Sequence, residues 1–217
     1  MVTVGTNWIE NSDVLSIFPT FVWTIHSTAE FHQPLNGRIL GALHEMNPLL
    51  SEISPGESWQ SEQNLHAREE FTELVASVHS AAKIVLQFLH IGYEALELTG
   101  CWANANSSGV AHAMHSHPNN FLSGVYYVQT QPGADTVNFH DPRPQTGVIR
   151  PPVTALTAEN TDQVVVNVSN GTLLMFPAYL AHSVSRNDSE DLRISISFNL
   201  MFSQFTENLS QPMWSAD

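Results

Sequence analysis

Basic residues are scarce in this chain. Lys83 is the sole lysine, six arginines complete the positive set, and 7 basic against 21 acidic residues leave a formal charge of −14. Such a surface repels a phosphate backbone, which argues against nucleic acid as a general partner. It also makes any arginine near ligand-type side chains conspicuous. Cysteine is scarcer still: Cys101 stands alone, which excludes an intrachain disulfide and a multi-cysteine zinc knuckle and reads as a small buried hydrophobe. Long apolar runs are missing too. No segment reaches the ~18 apolar residues of a membrane span. Met1 to Ser16 holds Glu10 and Asp13 but no positive stretch ahead of an apolar one. Neither membrane anchoring nor export is expected, and the cysteine usage suits a reducing cytoplasm.

What is present is apolar side chain, 42% of the residues against 13% charged, enough for a substantial core. One domain over 1–217 is expected, with a helical part (1–100) packing on a β-rich part (101–217) that holds the chemistry. The clearest helix is Phe71 to Leu89, where Phe71, Leu74, Val75, Val78, Ala82, Val85, Leu86 and Leu89 recur at helical spacing. Leu35, Ile39, Leu40, Leu43 and Met46 suggest an earlier helix that Pro48 helps to end. Asn47 to Glu62, with Pro55-Gly56, reads as a surface loop.

From Cys101 the texture changes to short β-branched and aromatic runs divided by Gly, Pro, Asn and Asp. Strands are expected at Trp102–Asn106, Phe121–Gln129, Thr136–Phe139, Gln163–Val168, Thr172–Phe176 and Arg193–Phe202. Asn170-Gly171 between two apolar runs is a strong hairpin signal. Helices followed by many short strands indicate an α+β, mainly β fold, with helices buttressing one face of a barrel or sandwich.

Eleven histidines occur. Those of the first half are scattered without common spacing and read as ordinary surface or core residues. In the second half His112, His115 and His117 crowd just before a strand-like run, and His182 follows another. In an extended chain His115 and His117 point to the same side, so both rings can meet one metal ion, with His182 as the third ligand from a distant strand. The apolar run before His182, stopped by Phe176-Pro177, sets that histidine at a mouth rather than on an open surface. His112 shares a strand face with neither partner. Eleven residues beyond His182, Arg193 and Ser195 share one face of an alternating strand whose other face carries Ile194, Ile196 and Phe198. A guanidinium fork beside a hydroxyl suits a carboxylate. A salt bridge from Arg193 to Glu190 or Asp191 is the structural alternative. Asn104 and Asn106 share a face of the strand before the histidines, where they either contact a ligand or serve as plain strand polar residues.

The stretch His115-x-His117-Pro-Asn-Asn-Phe-Leu-Ser-Gly-Val-Tyr-Tyr-Val, with Phe139-x-Asp141-Pro-Arg143, Gly171-x-Leu-Leu-x-Phe-Pro, His182-x-Val and Arg193-Ile-Ser195, closely resembles a bacterial and phage group of 2-oxoglutarate/Fe(II) oxygenases. That group lies within the superfamily of the prolyl hydroxylases. The resemblance covers Trp102 to Asn199 and extends loosely to Ile17-Phe-Pro-Thr. It implies a double-stranded β-helix (jelly roll), Fe(II) as metal, 2-oxoglutarate and oxygen as co-substrates, and hydroxylation of a C–H bond with release of succinate. It further implies that Arg193 and Ser195 grip the distal carboxylate of 2-oxoglutarate, and that Tyr127 is directed at the same co-substrate.

The sequence departs from the superfamily at one ligand: His117 stands where the usual triad has a carboxylate, with Asp135 and Asp141 as substitutes. Two other classes use the same histidines, a zinc hydrolase or lyase and a non-catalytic cupin-like module for a metal or small acid. The first leaves Arg193 unexplained. The substrate is not legible, and neither is oligomeric state, although a strand edge or the Phe71–Leu89 helix offers a surface for a homodimer.

Overall fold

The computed structural model describes residues 9–92, 95–143 and 148–203. Two long helices, α1 (Ala29–Met46) and α2 (Thr72–Phe88), precede most of ten strands: β1 (Trp23–His26), β2 (Ser58–Gln60), β3 (Leu96–Asn106), β4 (His112–His115), β5 (Leu122–Gln129), β6 (Thr136–His140), β7 (Gln163–Asn167), β8 (Thr172–Pro177), β9 (His182–Val184) and β10 (Arg193–Phe202). They form a six-stranded sheet ordered β1-β8-β5-β10-β3-β2 and a four-stranded sheet ordered β4-β9-β6-β7. Every pairing between these strands is antiparallel. The fold is mostly β with few helices.

The larger sheet is apolar on one face because its strands alternate. Ile194, Ile196 and Phe198 of β10, Ala103 and Ala105 of β3 and Tyr126 and Val128 of β5 share a buried cluster with Leu35, Ile39 and Leu43 of α1 and Leu74, Val78 and Val85 of α2. The helices therefore cover that face. Asn36 fixes the contact: its side-chain N–H donates to the Val128 carbonyl at 2.8 Å, and its Oδ1 accepts from the Tyr126 hydroxyl at 2.7 Å. The opposite face of the sheet meets the smaller sheet through Tyr127, Leu174 and Phe176 on one side and Val137 and Phe139 on the other. Among the described residues no helix is long and apolar enough to cross a membrane.

Three local expectations change. The loop Asn47–Glu62 contains a short 3₁₀ turn at Leu50–Glu52 and the edge strand β2. The first helix starts at Ala29, ahead of Pro34, which it carries in its interior. Asn170-Gly171 makes a turn with Gly171 at φ 80°, but not a hairpin. β7 pairs with β6 in the smaller sheet, whereas β8 pairs with β1 and β5 in the larger. The chain crosses between sheets there, and a positive-φ glycine serves a crossing as well as a hairpin. A Cβ on Gly171 would also meet the His32 ring at 2.4 Å.

Candidate active site

A cavity of about 350 Å³ lies between the sheets, and its lining includes His115, His117, His182, Tyr127, Asn104, Arg193 and Ser195. These are the three histidines and the four residues expected from sequence to receive the co-substrate; Asn106, Asp135 and Asp141, also considered there as ligands, are not in the lining. The topology brings the lining residues together although they are far apart in the chain.

The histidines come from the smaller sheet. β4 ends on His115, β9 begins on His182, and the two are cross-strand partners; His117 follows, held by its backbone N–H on the Ala178 carbonyl at 2.9 Å. Their ring centroids are 4.3 to 5.2 Å apart, and one ligand atom from each falls within 4.8 Å of the others. His115 Nδ1 lies 2.8 Å from the Ala113 carbonyl, and His182 Nδ1 lies 3.0 Å from the Leu180 carbonyl. A carbonyl only accepts, so Nδ1 carries the proton in both rings and each Nε2 keeps its lone pair. This is how metal-binding histidines are usually oriented. Burial pushes His182 down to about 4, against the pull of the Leu180 carbonyl, and also lowers His117. Both rings are therefore neutral near pH 7, as ligation requires.

The four that remain, Tyr127, Asn104, Arg193 and Ser195, belong to the larger sheet. Arg193 is 2% exposed, and its Nε and Nη1 have no hydrogen-bond partner. The expected alternative, a salt bridge to Glu190 or Asp191, is not among the ion pairs of the described residues. Burial lowers the affinity of Arg193 for its proton, with Tyr127 acting the other way. A guanidinium nevertheless stays charged, so the cavity holds a desolvated, unpaired cation. Ser195 pairs across the strands with Asn104 on one side and Tyr127 on the other, which sets the three in one row beside Arg193. Asn104 Nδ2 donates to Ser197 Oγ at 3.1 Å. The Tyr127 hydroxyl is pushed up to about 12 by burial, with Arg193 opposing, and so remains a neutral donor.

The substitute carboxylates lie elsewhere. Asp141 binds Arg143 through an ion pair of 2.6 Å and accepts from the Arg143 backbone N–H at 2.9 Å; it lines a second cavity with Ile17 and Phe18. Asp135 accepts from the Gly133 backbone N–H. Neither joins the three histidines among the described residues. Sequence reasoning passed over Trp102, Gln60 and Gln63, which also line the cavity. An alternating pattern placed Trp102 on the same face as Asn104, but nothing local marked the two glutamines.

Residues 100–199 match the family model described as "Putative 2OG-Fe(II) oxygenase". This part of the chain is similar to the 2-oxoglutarate/Fe(II) oxygenases. The matched span runs from β3 to Asn199 in β10 and carries all three histidines and Arg193. No curated protein matches the sequence. Among solved structures, the chain is similar to the α-ketoglutarate-dependent carbocyclase SnoK from nogalamycin biosynthesis (TM-score 0.61, 13% identity, 91% of this chain and 90% of that one). It is also similar to HygX from Streptomyces hygroscopicus, solved with iron bound (TM-score 0.58, 11% identity, 86% and 84%). A prolyl-4-hydroxylase from Pseudomonas putida shares the fold as well (TM-score 0.55, 15% identity, 84% and 93%). At such identities the likeness is one of fold.

Proposed function

We propose that the chain is an Fe(II)- and 2-oxoglutarate-dependent dioxygenase that hydroxylates a C–H bond, with His115, His117 and His182 as metal ligands. Arg193, Ser195, Tyr127 and Asn104 receive the co-substrate. The observation that carries this reading is the pairing, in one cavity, of three converging imidazoles with an unpartnered buried guanidinium. A three-histidine zinc site explains the first half of that pairing and leaves the second idle.

The strand order supports a double-stranded β-helix. From β3 to β10 the strands fall alternately in the two sheets except at β6 and β7, which are neighbours in the smaller one. Eight strands so wound make a jelly roll, with the ligand in its open end.

The residues fit the group they would hold. Two Nε2 lone pairs are fixed by backbone carbonyls, and the third ring stacks on His182 with Nε2 3.4 Å from Nε2. Because His117 is neutral where the superfamily has a carboxylate, the site is one charge more positive, and an anionic co-substrate offsets that. Iron, when bound, supplies oxygen activation coupled to oxidative decarboxylation of 2-oxoglutarate to succinate. The protein's part is orientation and exclusion of water. Arg193 offers a planar fork to the distal carboxylate, Ser195 and Tyr127 offer hydroxyls beside it, and Val137 and Phe176 form an apolar wall.

The test is anaerobic loading with Fe(II) followed by 2-oxoglutarate. Stoichiometric iron, a metal-to-ligand absorption band and succinate on admitting oxygen are expected, and His182→Ala abolishes tight iron binding while the protein stays folded. Zinc retention without succinate favours the hydrolase class. Binding of both ligands without any turnover favours a cupin-like module.

A further inference from the structure

One polar side chain beside the cavity is as unusual as Arg193 and has no role in the reading above. Asn106 is 1% exposed, and its Nδ2 has no hydrogen-bond partner. It is the cross-strand partner of Arg193, so the two side chains leave the sheet on the same face, with Cβ atoms about 5 Å apart. Its Oδ1 is engaged by His112 Nε2 at 3.2 Å. Its backbone carbonyl accepts from Asn187 Nδ2 at 3.0 Å, which ties the strand end down. Orphan buried N–H groups are rare in folded proteins. Three of them, Arg193 Nε, Arg193 Nη1 and Asn106 Nδ2, stand on adjacent residues of paired strands, and all are donors.

A group of unsatisfied donors calls for an acceptor with several lone pairs. A carboxylate provides about four. We propose that Asn106 is a second donor to the carboxylate that Arg193 holds, and that His112 is a positioning residue that turns the Asn106 amide so that its NH₂ end faces this anion. The inference rests on the assignment of Arg193 to the co-substrate. His112 does this as a neutral ring with the proton on Nε2: burial, then the neighbouring Arg193 charge, push it down to about 4. It stands outside the three-histidine group, so the crowding of His112, His115 and His117 divides into one anion-side and two metal-side residues. The opposite amide orientation would aim Oδ1 at Arg193 and make Asn106 a competitor of the ligand, with the contrary effect on binding.

The experiment is calorimetric titration of the anaerobic Fe(II)-loaded full chain with two probes. 2-Oxoglutarate carries the distal carboxylate, and 2-oxobutyrate chelates through the same keto-acid end without it. Losing a hydrogen bond to a charged group costs about 10- to 100-fold in dissociation constant. Asn106→Ala should therefore weaken 2-oxoglutarate by about that factor and leave 2-oxobutyrate within about threefold. His112→Leu should move 2-oxoglutarate in the same direction by a smaller factor. His112→Gln, which keeps an N–H donor at similar reach, should recover most of it. Equal loss of both probes in Asn106→Ala indicates a structural role and overturns the proposal, and unchanged or tighter 2-oxoglutarate binding overturns it through the opposite amide orientation. Arg193→Leu is run alongside. If it weakens 2-oxoglutarate while Asn106→Ala does not, only the present inference fails. If Arg193→Leu has no effect, the co-substrate assignment fails and this inference with it.

Discussion

On one side of β10 stand Ile194, Ile196 and Phe198, packed with the helices; on the other stand Arg193, Ser195 and Ser197, turned to the cavity. The residues are neighbours in sequence, equally extended and for the most part equally buried, yet their surroundings demand opposite things. The helix side gains from filling space with apolar volume. The cavity side keeps a charge and two hydroxyls out of water without satisfying all of them, which lowers stability and readies the pocket for an anion. One strand thus separates what makes the chain fold from what lets it bind, and substitutions a single residue apart should report the difference.

The largest effect is expected on the apolar side. Ile196→Ala should lower unfolding free energy by about 2 to 5 kcal/mol, measured by urea denaturation, while the folded fraction keeps parental 2-oxoglutarate affinity. A comparable loss of affinity would show that the two faces are not independent.

Arg193→Leu should reverse that pattern. Loss of the bidentate, charge-assisted contact costs on the order of 2 to 4 kcal/mol of 2-oxoglutarate binding, about 30- to 1000-fold. The thermal midpoint of the metal-free protein should stay level or rise, because an unpaired buried charge has been exchanged for apolar volume. Arg193→Lys should restore only part of the affinity, since an ammonium lacks the planar fork. A fall in the apo midpoint comparable to that of Ile196→Ala would break the comparison.

Acid should act mainly on the cavity side. His182 and His112 are pushed down to about 4 by burial, whereas in the unfolded chain each titrates near the ordinary value of about 6.5. Between those limits the unfolded state binds the more protons, so stability rises with pH and is lost as pH falls from about 6.5 towards 4. The loss should be about 1 to 3 kcal/mol in the metal-free protein, allowing for the water that reaches the rings. Bound Fe(II) should deepen it, because protons then displace a ligand of the folded state. Denaturation curves at pH 7 and 4.5, with and without metal, read this directly. A stability unchanged across that interval would mean that both rings charge freely in the fold.

The smallest effect is expected at the odd ligand. His117→Asp supplies the carboxylate that the superfamily more often uses and should keep Fe(II) affinity within about tenfold, by anaerobic iron titration. His117→Ala should lose more. Equal binding by parent, Asp and Ala variants would remove His117 from the ligand set.

Much of this was legible because periodicity carries the orientation of a side chain. The apolar stripe of α2 and the alternation along β10 each located an element and its buried face to within a residue or two. The three histidines and Arg193 were legible as residue types suited to metal and carboxylate. β1 and β2 escaped because three or four residues at a sheet edge hold too little pattern. The Asn170-Gly171 hairpin was misread because a turn's chemistry sets the backbone bend and not the sheet that the next strand joins. Asn106 was left undecided and His112 was kept out of the ligand set for a related reason: what gives them meaning is the register Arg193↔Asn106, a pairing of residues 87 positions apart, and no local spacing encodes it.

The place of β10 between β3 and β5 also bears on how the protein is made. During synthesis β3 and β5 leave the ribosome long before the strand that must lie between them, so the larger sheet has an open slot at its centre until residues 193–202 arrive. Both its flanking strands then expose unpaired backbone at once, the state in which chains are most prone to join their neighbours. Closure of that slot and delivery of Arg193 are the same event. A nascent chain stalled before β10 therefore has all three histidines but not Arg193, and cannot assemble a working pocket on an incomplete fold.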